Sequence, residues 1–167
     1  LVEQGKLALD DEVGQYVKGF YTIKVGEEKP GPDGKPELSL VEPKRPILIH
    51  DLLRQSAGIP YASLAYGVVK KSYDDADLMS GKFTNAEVAD KIAALPLISQ
   101  PGDYWTYGHA TDVLGRVIEV VSGKSLYQFE KENLLDPLGM TNTSFFITEP
   151  SRQALFAEPR RIVEKQM

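Results

Sequence analysis

Apolar residues recur at helical spacing most clearly between positions 111 and 121. Val113, Leu114, Val117, Ile118, Val120 and Val121 form a broad stripe, with Asp112, Arg116 and Glu119 opposite, so an amphipathic helix is predicted there. Gly123 is placed to close it. Ser125 followed by Gln128 makes a capping box for a further helix, which carries Leu126, Phe129 and Leu134 and ends before Pro137. A second box, Thr84 with Glu87, precedes Val88, Ile92 and Leu95, which share one helical face up to Pro96. Upstream, apolar Ile47, Leu48 and Ile49 lead into a helix over 50–55 that should stop near Gly58. Residues 61–80 are ambiguous between short helices and loop.

Strand-like pattern is sparse. Residues 20–25 are rich in β-branched and aromatic side chains, and 38–41 form a second short candidate. Between them, three prolines and three glycines in residues 26–36 predict a mobile hairpin tip. Asp10 or Asp11 is placed to cap a brief turn over 12–16. Phe145, Phe146 and Ile147 read as a strand start, and the tail from Ser151 as a frayed helix or an exposed end. Leu1 to Gly5 reads as the last turn of a helix closed by glycine, which suggests a piece of a larger protein. The pattern therefore gives one fragment, mainly α with a β-hairpin insertion. Its segments are 1–17, a helix end and connection; 18–46, the hairpin; 47–147, the helical region; and 148–167, the tail.

Composition narrows the function classes. The 167 residues are 42% hydrophobic and 26% charged, as expected of a globular domain. A net charge of -5, with basic pairs only at 44–45, 70–71 and 160–161, argues against nucleic-acid binding. The absence of cysteine excludes disulfides and thiol catalysis from these residues. No apolar run approaches the length of a membrane span, and nothing fixes the compartment.

The stretch most suggestive of a site is 101–110, Pro-Gly-Asp-Tyr-Trp-Thr-Tyr-Gly-His-Ala. A turn is followed by three aromatics and one of two histidines, just before the best-defined helix. Tyr107 is the candidate reactive group. A phenol with an ordinary pKa near ~10 becomes a base at neutral pH only if cations stabilise its anion, and no Lys or Arg is near it in sequence. A core tyrosine with a satisfied hydroxyl is the competing reading. His109, two residues on, faces the same side if the loop is extended, and could polarise a substrate or hold Tyr107; the competing reading is a histidine that caps the following helix or is exposed. His50 reads as structural. No spacing of His and carboxylates suggests zinc, no phosphate loop or Gly-x-Ser-x-Gly elbow is present, and no cofactor is called for.

Four blocks together resemble the serine β-lactamase and penicillin-binding-protein-like superfamily, in the branch with class C β-lactamases, D-amino-acid-peptide hydrolases and family VIII carboxylesterases. They are residues 1–11, 45–61, 101–124 and 136–143. Each motif is loose; four in the right order are specific. The resemblance implies the helical region of a β-lactamase-like α/β fold, with the large antiparallel sheet mostly missing. It also implies that 1–17 holds the end of the nucleophile helix. Such enzymes attack an acyl carbonyl with the serine of Ser-x-x-Lys, and use a Tyr-x-Asn tyrosine as second base or proton shuttle. Tyr107 matches that tyrosine, and the motif lysines would supply its cations. Tyr61 matches a loop lining the acyl pocket, and Trp105 flanks the same region; both could equally be core packing.

Two departures matter. His109 stands where many members have Asn, which weakens the antibiotic-hydrolase reading and suits esterase-like members. In addition, no serine here is followed three places later by lysine. The nucleophile is thus expected upstream of Leu1 and the oxyanion strand beyond Met167. The expected function is part of a serine acyl hydrolase acting on short-chain esters, with Tyr107 catalytic and His109, Trp105 and Tyr61 binding a small ester or amide substrate. Its partner would be the remainder of the same protein. A β-lactamase or D,D-peptidase, and a non-catalytic binding relative, are the alternatives. The 167 residues alone are expected to be inactive, and ester turnover by the isolated piece would overturn this.

Overall fold

The computed structural model describes residues 1–157. The chain divides into two compact units, Leu1–Phe129 and a second beginning at Glu130.

The first unit holds the predicted helices. α1 spans Ile49–Leu53, α2 Lys70–Ala76, α3 Asn85–Ala93 and α4 Ala110–Ser122. α4 buries Val113, Gly115 and Val117 and leaves Val120 exposed. Fully burying each valine contributes about 1.5–3 kcal/mol relative to exposure. Gly123 ends it in a left-handed conformation, φ +69°, donating its N–H to the Glu119 carbonyl at 2.9 Å. The box before α3 forms as expected: Glu87 N–H donates to Thr84 Oγ1 at 3.3 Å, and Thr84 N–H to Glu87 Oε2 at 2.7 Å. Residues 61–80 resolve into 3-10 turns at Ala62–Leu64 and Gly67–Val69, followed by α2.

The predicted strand at 20–25 is corrected. Lys18–Tyr21 is a 3-10 turn, and the first strand, β1, is Val25–Pro30. Phe20 and Ile23 fill the core instead, so their bulk is used for burial and not for pairing. β1 pairs antiparallel with β2, Pro36–Val41, from Val25 opposite Val41 to Pro30 opposite Pro36. The predicted tip of 26–36 thereby shrinks to the turn at 31–35, closed by Gly31 N–H on the Lys35 carbonyl at 2.7 Å. The charged run at 27–29 does not prevent pairing, because ladder bonds use only backbone. This two-stranded sheet is the only one among the described residues.

The base of the hairpin is stitched to the core. Gly26 N–H donates to the Leu97 carbonyl and Leu97 N–H to the Lys24 carbonyl, both at 2.8 Å. Near the N-terminus, Leu1 to Gly5 is a hydrogen-bonded turn closed as a helix end is: Gly5, at φ +65°, donates its N–H to the Val2 carbonyl at 2.9 Å, and Lys6 N–H donates to the Leu1 carbonyl at 3.1 Å. Beyond it, Val13 N–H donates to the Ile47 carbonyl and Ile49 N–H to the Asp11 carbonyl. Asp11 caps no helix; its Oδ2 accepts from Ala8 N–H and the Tyr16 hydroxyl, closing the connection before the 3-10 turn Val13–Gln15.

The helix expected over 125–136 is short. α5 is Leu126–Glu130, followed by a π-turn at Lys131–Leu135. Ser125 caps it, Gln128 N–H donating to its Oγ at 3.2 Å. In the second unit, Phe145, Phe146 and Ile147 form no strand; Ser144 Oγ donates to the Phe146 carbonyl in an irregular segment. α6, Pro150–Gln153, follows with proline at its first position. The rest of the expected tail, 158–167, lies outside the described residues. Among the described residues no helix is long and apolar enough to cross a membrane.

Candidate active site

Two loops build the site. The first leaves α1 through Arg54, Gln55, Ser56, Ala57 and Gly58, and reaches Tyr61. The second runs from Ile98 to the start of α4. They are joined backbone to backbone. Ile98 N–H donates to the Gly58 carbonyl at 3.0 Å, Gly102 N–H to the Ser56 carbonyl at 2.8 Å, and Thr106 N–H to the Gln55 carbonyl at 2.6 Å. Two glycines permit the approach. Gly58, at φ +75°, lies against the Ser99 carbonyl. Gly108 lies directly on the Ile59 and Pro60 backbone, where any Cβ would overlap it.

That contact brings residues remote in sequence together. The Tyr61 ring meets Tyr107 edge-on, with centroids 5.3 Å apart at 80°. It also meets His109 edge-on, at 4.5 Å and 79°. Trp105 stacks on Tyr107 at 6.0 Å with the planes 12° apart. Such aromatic pairs hold ring orientation beyond simple area burial. Tyr107 is 50% exposed and Trp105 is 72% exposed. Thus all four residues picked out in the sequence are in one contact chain, with Tyr107 and Trp105 outward and Tyr61 between Tyr107 and His109.

His109 is buried, only 2% exposed, at the N-cap position of α4. Its side chain makes no capping bond there. Nδ1 lies 2.9 Å from Asp112 Oδ2, and buried Nε2 has no hydrogen-bond partner. Asp112 is thus more than a member of the polar face of α4. Burial first, then the Asp112 charge and the Tyr107 phenol, push the Tyr61 hydroxyl above its usual range. Tyr61 therefore stays protonated at neutral pH. Nothing in the sequence pattern marked Gln55 or Gly108; the i, i+3 spacing of His109 and Asp112 was the one local signal available.

Beneath the first loop lies a buried ion pair. Asp51, inaccessible to solvent, takes a two-pronged contact from Arg45, at 2.6 and 2.9 Å, and accepts from Leu48 N–H at 2.9 Å. His50 lies beside the same carboxylate, Nε2 at 3.4 Å from Asp51 Oδ1. Among the described residues no three His, Cys, Asp or Glu side chains gather to hold a metal.

This geometry has relatives. The family model described as Beta-lactamase matches residues 1–163. The chain is 35% identical over 154 residues to Protein Rv1367c of Mycobacterium tuberculosis, covering 92% of this chain and 36% of that one. It is 32% identical over 161 residues to Esterase EstB of Burkholderia gladioli, covering 93% and 36%. Among solved structures, EstCE1, described as a hydrolase with promiscuous acyltransferase activity, superposes with a TM-score of 0.62 at 30% identity, over 83% of this chain and 33% of that one. The chain spans about a third of the length of these relatives. A family match over nearly the whole sequence, with a fold shared by its structural neighbours, makes this chain a member of the β-lactamase family.

Proposed function

We propose that the chain supplies the tyrosine-bearing part of a serine acyl hydrolase, a carboxylesterase acting on short-chain esters through an acyl-enzyme. The observation that carries this reading is Tyr107: its ring is half exposed although the residues on both sides of it are pinned to the Gln55 loop. A phenol held this way is suited to proton transfer at a fixed point. The serine hydroxyl required by the family resemblance gives its proton to Tyr107 in its phenolate form, the anion that the lysines implied by the same resemblance would stabilise, as the serine oxygen attacks the ester carbonyl. The tetrahedral adduct collapses, and the proton passes to the departing alkoxide. Water then attacks the acyl-serine, with Tyr107 taking and returning a proton, and the acid leaves.

Trp105 and Tyr61 supply the walls against which the acyl group lies. His109, buried under Tyr61, would act on substrate through that ring more than by direct contact. The ester preference is supported by His109 in place of the Asn that binds amide substrates in β-lactamases. It is supported also by the similarity to proteins described as esterase and hydrolase.

The test is pre-steady-state hydrolysis of a p-nitrophenyl ester by the protein expressed from its complete coding sequence. A burst of nitrophenolate equal to the enzyme concentration, with a mass increment equal to the acyl group, is expected. Faster turnover of a cephalosporin than of the ester would favour the β-lactamase or peptidase reading. Absence of any acyl-enzyme with either substrate would leave a non-catalytic binding role.

A further inference from the structure

Gln55 hydrogen-bonds the site loop on both sides of Tyr107, and the reaction outlined above makes no use of it. It is one of two non-glycine residues with positive φ among the described residues, at +56°. L-residues avoid that region unless the surroundings enforce it. Here the left-handed turn aims both halves of the residue at the same target. The backbone carbonyl accepts from Thr106 N–H at 2.6 Å. The side-chain Oε1 accepts from Gly108 N–H at 3.3 Å, and Nε2 donates to Thr111 Oγ1 at 2.9 Å. The residues before and after Tyr107, and the first turn of α4, are thus fastened to one amino acid.

We infer that Gln55 is a positioning residue whose clamp on Thr106, Gly108 and Thr111 sets the height and direction of the Tyr107 phenol. The inference rests on Tyr107 being the base. Chemistry explains the residue type. A primary amide offers both an acceptor for a backbone N–H and a donor for a hydroxyl from one short planar group. The outward exposure of Tyr107 makes the clamp necessary. A ring that is 50% exposed has little core packing to fix it, and its neighbour Trp105 is more exposed still. The contacts with Tyr61 and Trp105 orient the ring, and the backbone sets where it sits.

The test uses Gln55→Gly and Gln55→Glu in the protein expressed from its complete coding sequence. Glycine accepts the left-handed conformation and keeps the carbonyl bond to Thr106, but removes both side-chain bonds. Glutamate keeps an acceptor for Gly108 N–H and can take a bond from the Thr111 hydroxyl. Gln55→Gly is expected to lower kcat roughly ten- to a hundredfold, the scale of a misplacement near 1 Å. KM and the urea midpoint should stay close to those of the parent. The near-UV circular dichroism of Trp105, isolated by subtracting the Trp105→Phe spectrum, should weaken. Gln55→Glu should recover most of the lost kcat and the signal. Unchanged kcat and signal in Gln55→Gly, or a glutamate variant as slow as the glycine one, would overturn the inference. Tyr107→Phe separates it from the reading it rests on. If that variant keeps full turnover while Gln55→Gly still loses the Trp105 signal, Tyr107 is not the base and Gln55 remains the clamp of its loop.

Discussion

Replacing Tyr107 with Phe is expected to lower kcat for ester hydrolysis by about 10²–10⁴-fold, the usual contribution of a positioned acid or base. The ring remains, so its stack on Trp105 and its edge contact with Tyr61 survive. Only the hydroxyl is lost. In the proposed reaction that hydroxyl acts first in the attack, so acylation itself should slow, and the burst should vanish instead of ending in a stalled acyl-enzyme. Tyr61→Phe is the informative companion. Burial, the Asp112 charge and the Tyr107 phenol all push the Tyr61 hydroxyl upward. That shift opposes the anion that a base would need. Loss of the Tyr61 hydroxyl should change KM more than kcat. A large fall in kcat for Tyr61→Phe with none for Tyr107→Phe, measured by stopped flow under identical conditions, would reverse the two roles.

The sequence was informative where one local rule governs one element. The α4 stripe and the Thr84 and Ser125 caps follow from 3.6-residue periodicity and from the chemistry of helix ends, and all three are seen. It misled where local preference and burial compete. Residues 20–25 have strand composition, yet Phe20 and Ile23 are needed by the core, so pairing begins later, on residues with little strand preference. The aromatic loop at 101–110 was visible as a cluster, and the family resemblance singled out Tyr61. What joins them was not visible. Gly108 against the Ile59 carbonyl, and Gln55 with its left-handed turn, are contacts between segments remote in sequence, and no local pattern encodes them. Asp112 belongs to the polar face read from periodicity, but periodicity does not say that one member of that face turns back to His109.

The same first loop depends on Asp51, and Asp51→Asn is expected to destabilise the fold by about 3 kcal/mol, the lower end of the range for breaking a buried pair. The lower end applies because the Arg45 side chain is 37% exposed and can regain water. Burial alone would raise the Asp51 pKa. The Arg45 guanidinium, the Leu48 N–H and His50 outweigh it and hold the carboxyl below the usual range. The sign of the pH dependence follows. A depressed native pKa adds stability above the unfolded value, near ~4, and that contribution is lost as pH falls through the native value. Urea unfolding should therefore show the largest gap between parent and Asp51→Asn at neutral pH, narrowing steadily below about pH 4. The substitution should also reach the site. Asp51 fixes Arg45, whose guanidinium lies against Gly102 at the entry of the tyrosine loop, and Asp51 accepts a long 3.4 Å bond from Ser56 Oγ, next to Gln55. Loss of kcat beyond the unfolded fraction, restored by neither salt nor substrate, would mark that second effect. A double change, Arg45→Met with Asp51→Leu, leaves no orphan charge and should recover most of the stability. A parent-to-variant gap that is flat from neutral pH to acid would mean that the loop is held by packing and not by the Asp51 charge.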